Sequence, residues 1–142
     1  MELTDLVLDV DQHIEIKAPI EQVYEKMIHR LSDGCVMPDK KPFPLTLEAY
    51  PGGRWFRDLG DGAGHLWGLV QVIKPPTLIE IQGPLFMSYP ASGHFAVRFA
   101  EIDGGTKVSL RHRVLGMIEQ DHREGVHHGW QTFLDDLQEL CK

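Results

Sequence analysis

Leu8, Val10, Ile14 and Ile16 alternate with Asp9, Asp11, His13 and Glu15, and a period of two sends one set to each face of an extended chain. The pattern predicts a half-buried strand over 8–16, with Gln12 the lone polar residue on its inward side. The period then changes. Ile20, Val23, Tyr24, Met27, Ile28 and Leu31 follow one another at steps of three and one, the stripe of an amphipathic helix, and Pro19 stands where a first helical turn tolerates proline. From Ser32 to Pro44 the stretch "SDGCVMPDKKPFP" holds three prolines and no periodicity, so it reads as a long loop and a candidate lid.

Beyond it the chain is β in character. The runs "LTLEAY", "RWFRDL", "HLWGLVQVIK" and "TLIEIQG" are separated by "PGG", "GDGAG" and "PP", the punctuation of antiparallel hairpins. After a loop at "PLFMSYPA", Phe95, Val97 and Phe99 share one face of a strand. Past "DGG", Val108, Leu110, His112 and Val114 share one face of the next. Asp121 and Glu124 stand at a capping-box spacing, and Val126, Trp130, Phe133, Leu137 and Leu140 then recur at helical spacing to the end. The predicted order is β, α, six strands, α, without repeats or linkers, in one domain over 1–142.

Composition narrows the picture little further. The chain has 142 residues, 42% hydrophobic and 25% charged, which is ordinary for a soluble globular protein of one-domain size. The formal net charge of -7 and the lack of any lysine or arginine cluster argue against a nucleic-acid surface. No apolar run approaches a membrane span, and "MELTDLVLDVDQ" carries acids where a secretory signal carries basic residues. A cytoplasmic location without membrane partners is therefore expected. Cys35 and Cys141 are too few for a disulfide framework.

Candidate chemistry is sparse. Eight histidines invite a metal, but His127 and His128 point about 100 degrees apart on a helix, and no HExxH motif or cysteine–histidine ligand spacing occurs; no metal or cofactor is expected. His127 falls at the edge of the apolar stripe that holds Trp130, whereas His128 groups with the polar face. His112 lies on the dry side of its strand, where an imidazole must find a hydrogen-bond partner or a ligand. In "RWFRDL" the preferred inward set is Trp55, Arg57 and Leu59, although a bulge would reverse it. An inward Arg57 would suit an anionic or carbonyl group, and the alternative is a surface arginine. Gly125 and Gly129 each cost about 1 kcal/mol in a helix interior. Either Gly125 is near the helix start and Gly129 in close strand contact, or the missing side chains leave space beside Trp130. With no GxSxG elbow, P-loop or dinucleotide fingerprint, no catalytic residue is assigned and enzymatic activity is undecided.

The strand-then-helix opening "IEIKAPIEQVYEKM", the "GLVQVIKPPTLIEI" strands joined by Pro-Pro and the closing "HHGWQTFLDDLQEL" resemble the SRPBCC superfamily of START, Bet v 1 and polyketide cyclase relatives. Within it they resemble the AHSA1-like branch, related to the C-terminal domain of the activator of Hsp90 ATPase. The resemblance spans residues 8–142. It implies an α+β helix-grip fold, a curved antiparallel sheet wrapped around the C-terminal helix, with a filled or open cavity between them. It supplies no shared catalytic residue. Together with the inward aromatics it makes a small apolar or aromatic molecule the expected partner. The expected lining is Trp55, Arg57, Trp67, Phe86, Phe95, His112, His127 and Trp130, with loops 32–44 and 84–91 near the mouth. A chaperone-cofactor role and a polyketide cyclase-like or hydrolytic activity are the alternatives. Self-association as a homodimer is left open.

Overall fold

A computed structural model describes residues 2–142. After a short 3-10 turn at Leu3–Leu6 come β1 (Val7–Ile16), α1 (Ile20–Leu31), β2 (Thr46–Leu47), β3 (Arg54–Gly60), β4 (Ala63–Lys74), β5 (Leu78–Gly83), β6 (Ala91–Ile102), β7 (Gly105–Gly116) and α2 (Gln120–Leu140). This is the β, α, six-strand, α order that the hydrophobic periods predict. The strands form one antiparallel sheet in the order β1-β7-β6-β5-β4-β3-β2, so β1 crosses over to pair with the last strand, Val10 opposite His112.

The sheet folds its apolar face onto the helices. Leu8, Val10 and Ile16 of β1, Ile79 and Ile81 of β5, Phe95, Val97 and Phe99 of β6, and Val108, Leu110 and Val114 of β7 are all buried, as alternation requires. Val23, Met27 and Leu31 of α1 and Val126, Trp130, Leu134 and Leu137 of α2 cover them. Gln12 shows how β1 and α2 are held in register: its Nε2 donates to the His127 carbonyl at 2.9 Å. At the far end of the interface the Gln138 side chain donates to the Glu15 carbonyl at 2.9 Å. Irregular pairing at Trp55/Phe56 and Asp58/Gly60 between β3 and β4, and at Val70/Val72 between β4 and β5, adds local twist to this part of the sheet.

Two local expectations change. The run 45–50 yields only the two-residue β2, because the turn that follows is clasped. Glu48 receives the Arg54 backbone N–H at 2.8 Å and its guanidinium at 2.9 and 3.1 Å, and Gly53 passes so close to the Glu48 carbonyl that a Cβ would overlap it. The capping box at Asp121 and Glu124 does not form either. The helix begins two residues earlier, with Glu119 at its cap and no side-chain cap bond, leaving Asp121 in the first turn, where its charge favours the positive end of the helix dipole.

Candidate functional site

Phe95 is the centre of the concave face. It is fully buried and lies between two tryptophan rings, stacked on Trp130 at 4.8 Å and 21° and on Trp55 at 6.0 Å and 26°. Trp55 faces inward by the alternation of β3. Trp67 reaches the same face by the bulge: Trp55 pairs with Gly68 and Phe56 with Leu66, so Trp67 is the extra residue of β4 and turns in edge-on to Trp55 at 5.1 Å. Trp130 continues the set along α2 to Phe133 at 5.4 Å.

The two buried indoles end differently. Trp55 Nε1 donates to the Leu31 carbonyl at 2.7 Å, tying β3 to the last turn of α1. Trp130 Nε1 donates to His112 Nδ1 at 3.0 Å. His112 is 0% exposed, and burial pushes its pKa down from 6.5 to about 4, so the ring is neutral near pH 7. With Nδ1 accepting, its one N–H must be on Nε2. That nitrogen is buried and has no hydrogen-bond partner. It looks toward Gly93, where a Cβ would come within 3.3 Å of it.

The β5–β6 loop closes over this end. Gly83 pairs with Gly93, and a Cβ on Gly83 would strike the Trp67 carbonyl and Gly68 Cα, so glycines of β4, β5 and β6 leave this strip of the concave face bare of side chains. The Leu85 N–H bonds to the Trp67 carbonyl at 2.7 Å, and Leu85 takes a left-handed φ of 56°, a conformation that costs an ordinary residue on the order of 1 kcal/mol. The half-buried Phe86 ring is thereby set among Trp67, His112, His122 and Trp130, with centroids at 5.7, 6.1, 5.7 and 6.0 Å. Tyr89 OH and His122 Nδ1 lie 2.6 Å apart and join the loop to the first turn of α2.

Seven of the eight residues expected to line the site fall on this face or at its rim. Trp55, Trp67, Phe86, Phe95, His112 and Trp130 form a contiguous aromatic cluster. Arg57 is half-buried with its guanidinium 3.7 Å over the Phe43 ring, and so it stands beside the cluster against the 32–44 loop. His127 is elsewhere: its side chain is exposed, and only its carbonyl meets the sheet, because Gln12 turns that edge of α2 to β1. Neither reading of the helical glycines holds. Gly125 is the sixth residue of α2, and at Gly125 and Gly129 an added Cβ would meet nothing within 4 Å, so both face solvent. His122 was not among the expected residues, although its spacing of four to Val126 and eight to Trp130 places it on their stripe. Arg30, buried in α1 three residues after Met27, carries the same signal. The rings pack one on another, and two surface depressions among the described residues lie away from them. One is on the outer face among Gln71, Gln82, His94 and Arg113, and the other is beside the β1–α1 turn around Pro19 and Gly104.

A curved antiparallel sheet closed on a C-terminal helix, with an aromatic cluster between them, defines a helix-grip protein. The chain belongs to the family described as activator of Hsp90 ATPase homolog 1-like protein, whose model matches residues 41–142. That match starts after β1 and α1, which solved structures do cover. A protein from Chromobacterium violaceum aligns with a TM-score of 0.71 at 19% identity, over 94% of this chain and 96% of its own. An uncharacterized protein from Rhizobium leguminosarum aligns with a TM-score of 0.70 at 21% identity, over 93% and 92%. The di-domain ARO/CYC BexL of the BE-7585A biosynthetic pathway aligns with a TM-score of 0.65 at 19% identity, over 97% of this chain and 51% of its own, so this chain spans about half of that protein. At such identities the likeness is one of fold. No curated protein matches the sequence.

Proposed function

We propose that this protein binds a small, largely apolar aromatic molecule bearing an acceptor oxygen, held between the sheet and α2. The observation that carries the reading is the His112 Nε2–H, a buried donor with no partner, set among aromatic rings. Leaving such a group unpaired costs about 1–3 kcal/mol, which an acceptor from a ligand would recover. The surrounding rings supply the apolar contact and the single donor sets orientation, the usual division of labour in a ligand site. Entry is over Phe86. Its loop is held by the strained Leu85 and by the Tyr89–His122 contact, and the ligand's ring would take the place of the Phe86 ring against His112. The Trp130 bond holds the His112 N–H on the nitrogen that faces the ligand.

The test is titration calorimetry with 2-acetonaphthone, a neutral aromatic ketone, and with naphthalene, which has the rings but no acceptor. The ketone should bind about tenfold tighter than the hydrocarbon, as expected for satisfying a buried donor, and His112→Phe should erase the difference. Equal affinity for both probes would assign the site to shape alone, and absence of binding by either would refute the reading. The family match supports one other reading, a protein-binding role toward an Hsp90-type ATPase. Stimulation of that ATPase by the purified chain would establish it.

A further inference from the structure

Away from His112, at the other end of the aromatic cluster, two arginines carry free donors. Arg30 is 5% exposed. Its guanidinium lies 4.6 Å over the Phe133 ring, and it reaches the Gly34 carbonyl and Asp136 Oδ2 only at long range, 3.4 Å each. Its Nε is buried without a partner. Arg57 stacks over Phe43 and its NH1 is likewise buried and unpaired. The 32–44 loop brings the two together. Arg30 bonds Gly34, the next residue is Cys35, and the Cys35 carbonyl receives the Phe43 N–H at 2.8 Å beneath Arg57. Burial raises the Cys35 thiol pKa, an effect that the Arg30 guanidinium and, to a lesser degree, that of Arg57 oppose.

In a chain of net charge -7, Arg30, Arg57 and Lys40 converge on one end of the helix-grip interface. Asp136 pairs with Lys40 through Oδ1 at 2.5 Å and with Arg30 through Oδ2 at 3.4 Å. A guanidinium whose face is covered by an aromatic ring keeps its in-plane N–H groups for a planar anion. Arg30 is charge-paired with Asp136, but its Nε and the NH1 of Arg57 stay buried without partners, and such donors are costly unless an acceptor completes them.

We infer that Arg30 and Arg57 form an anion subsite beside Cys35, and that the preferred ligand is an aromatic carboxylate whose charged group lies between the two guanidiniums while its rings lie along the tryptophan cluster. This deepens the binding proposed above and rests on it for the aromatic part. The 32–44 loop, carrying Phe43 and Cys35, is then the wall of the anion end, as the Phe86 loop is of the His112 end.

The experiment compares 2-naphthoate with 2-acetonaphthone, its neutral counterpart of similar shape, by calorimetry at pH 7, with inorganic phosphate followed separately by thermal shift. The acid should bind about tenfold tighter than the ketone despite the negative protein, the scale of a charge-assisted pair. Arg57→Met should bring the two affinities together, and Arg57→Lys should keep part of the preference. If Arg57→Met does not fold, Arg57→Gln serves the same comparison. Equal affinities in the wild type would overturn the anion subsite and leave the His112 reading standing. If neither naphthalene compound binds, that reading fails; a phosphate-induced rise in Tm that is lost on substituting Arg57 would still support the subsite, and no phosphate effect would overturn it as well.

Discussion

Trp55 and Trp130 flank the same phenylalanine, are almost equally buried at 1% and 6% exposure, and each donate one indole hydrogen bond. Their acceptors separate them. Trp55 bonds a backbone carbonyl, a fixed acceptor with no second state, and thereby locks β3 to α1. Trp130 bonds an imidazole, which can titrate and which transmits its constraint to a second nitrogen with nothing to bond. One side of Phe95 is therefore finished as a core. The other side stops one hydrogen bond short, under a loop held in a strained conformation. The lesson is that aromatic packing alone does not distinguish core from site; the hydrogen-bond accounting around it does.

The comparison can be pressed in order of effect. Trp55→Ala and Trp130→Ala should each cost about 3–5 kcal/mol by chemical denaturation, since both remove a stacked core ring. Trp55→Ala also strands the Leu31 carbonyl, whereas Trp130→Ala frees His112. The pH dependence should then divide them. Folding keeps His112 neutral with a pKa near 4 against 6.5 when unfolded. Its contribution is full above pH 6.5 and is lost as the pH falls toward 4, because the unfolded chain then takes up a proton that the folded one refuses, in all up to about 3 kcal/mol. Denaturation between pH 7 and 4 should show this loss, and His112→Leu should flatten it. Phe86→Ala should cost only about 1–2 kcal/mol, as befits a half-buried ring with edge contacts, while tightening the binding of 2-acetonaphthone. A larger loss without tighter binding would make Phe86 ordinary core. Smallest is Gly129→Ala. Its site is open and helical, so the variant should be more stable by up to about 1 kcal/mol, visible as a raised Tm.

How far these features could be read in the sequence follows from the range of the interactions that make them. The alternation of Leu8 to Ile16, the stripe of α1 and the turn residues of the middle are local, and they led to the observed order of elements. Local pattern also placed Trp130 and His112 inward and Gln12 on the inward side of β1. Trp67 is inward only because a bulge opposes it to no residue of β3, which periodicity does not announce. Arg30 sits on the buried stripe, but its charge hides it there until Asp136, 106 positions later, supplies a partner. His127 went the other way: the helical wheel set it at the margin, and the Gln12 bond to its carbonyl fixed the helix rotation that leaves its ring outside. The bond from Trp130 to His112, and the orphaned nitrogen that follows from it, needs the pairing of two elements and has no signature in either one.

The most direct test is to follow the three tryptophan indole N–H signals and the His112 Nε2–H by NMR during titration with 2-acetonaphthone. The Trp130 and His112 signals should shift together and saturate, with the His112 proton moving downfield as it gains an acceptor, while the Trp55 signal stays in place. Movement of Trp55 with Trp130 still, or no movement of the His112 proton at saturation, would contradict the claim that the His112 side of Phe95 is the site.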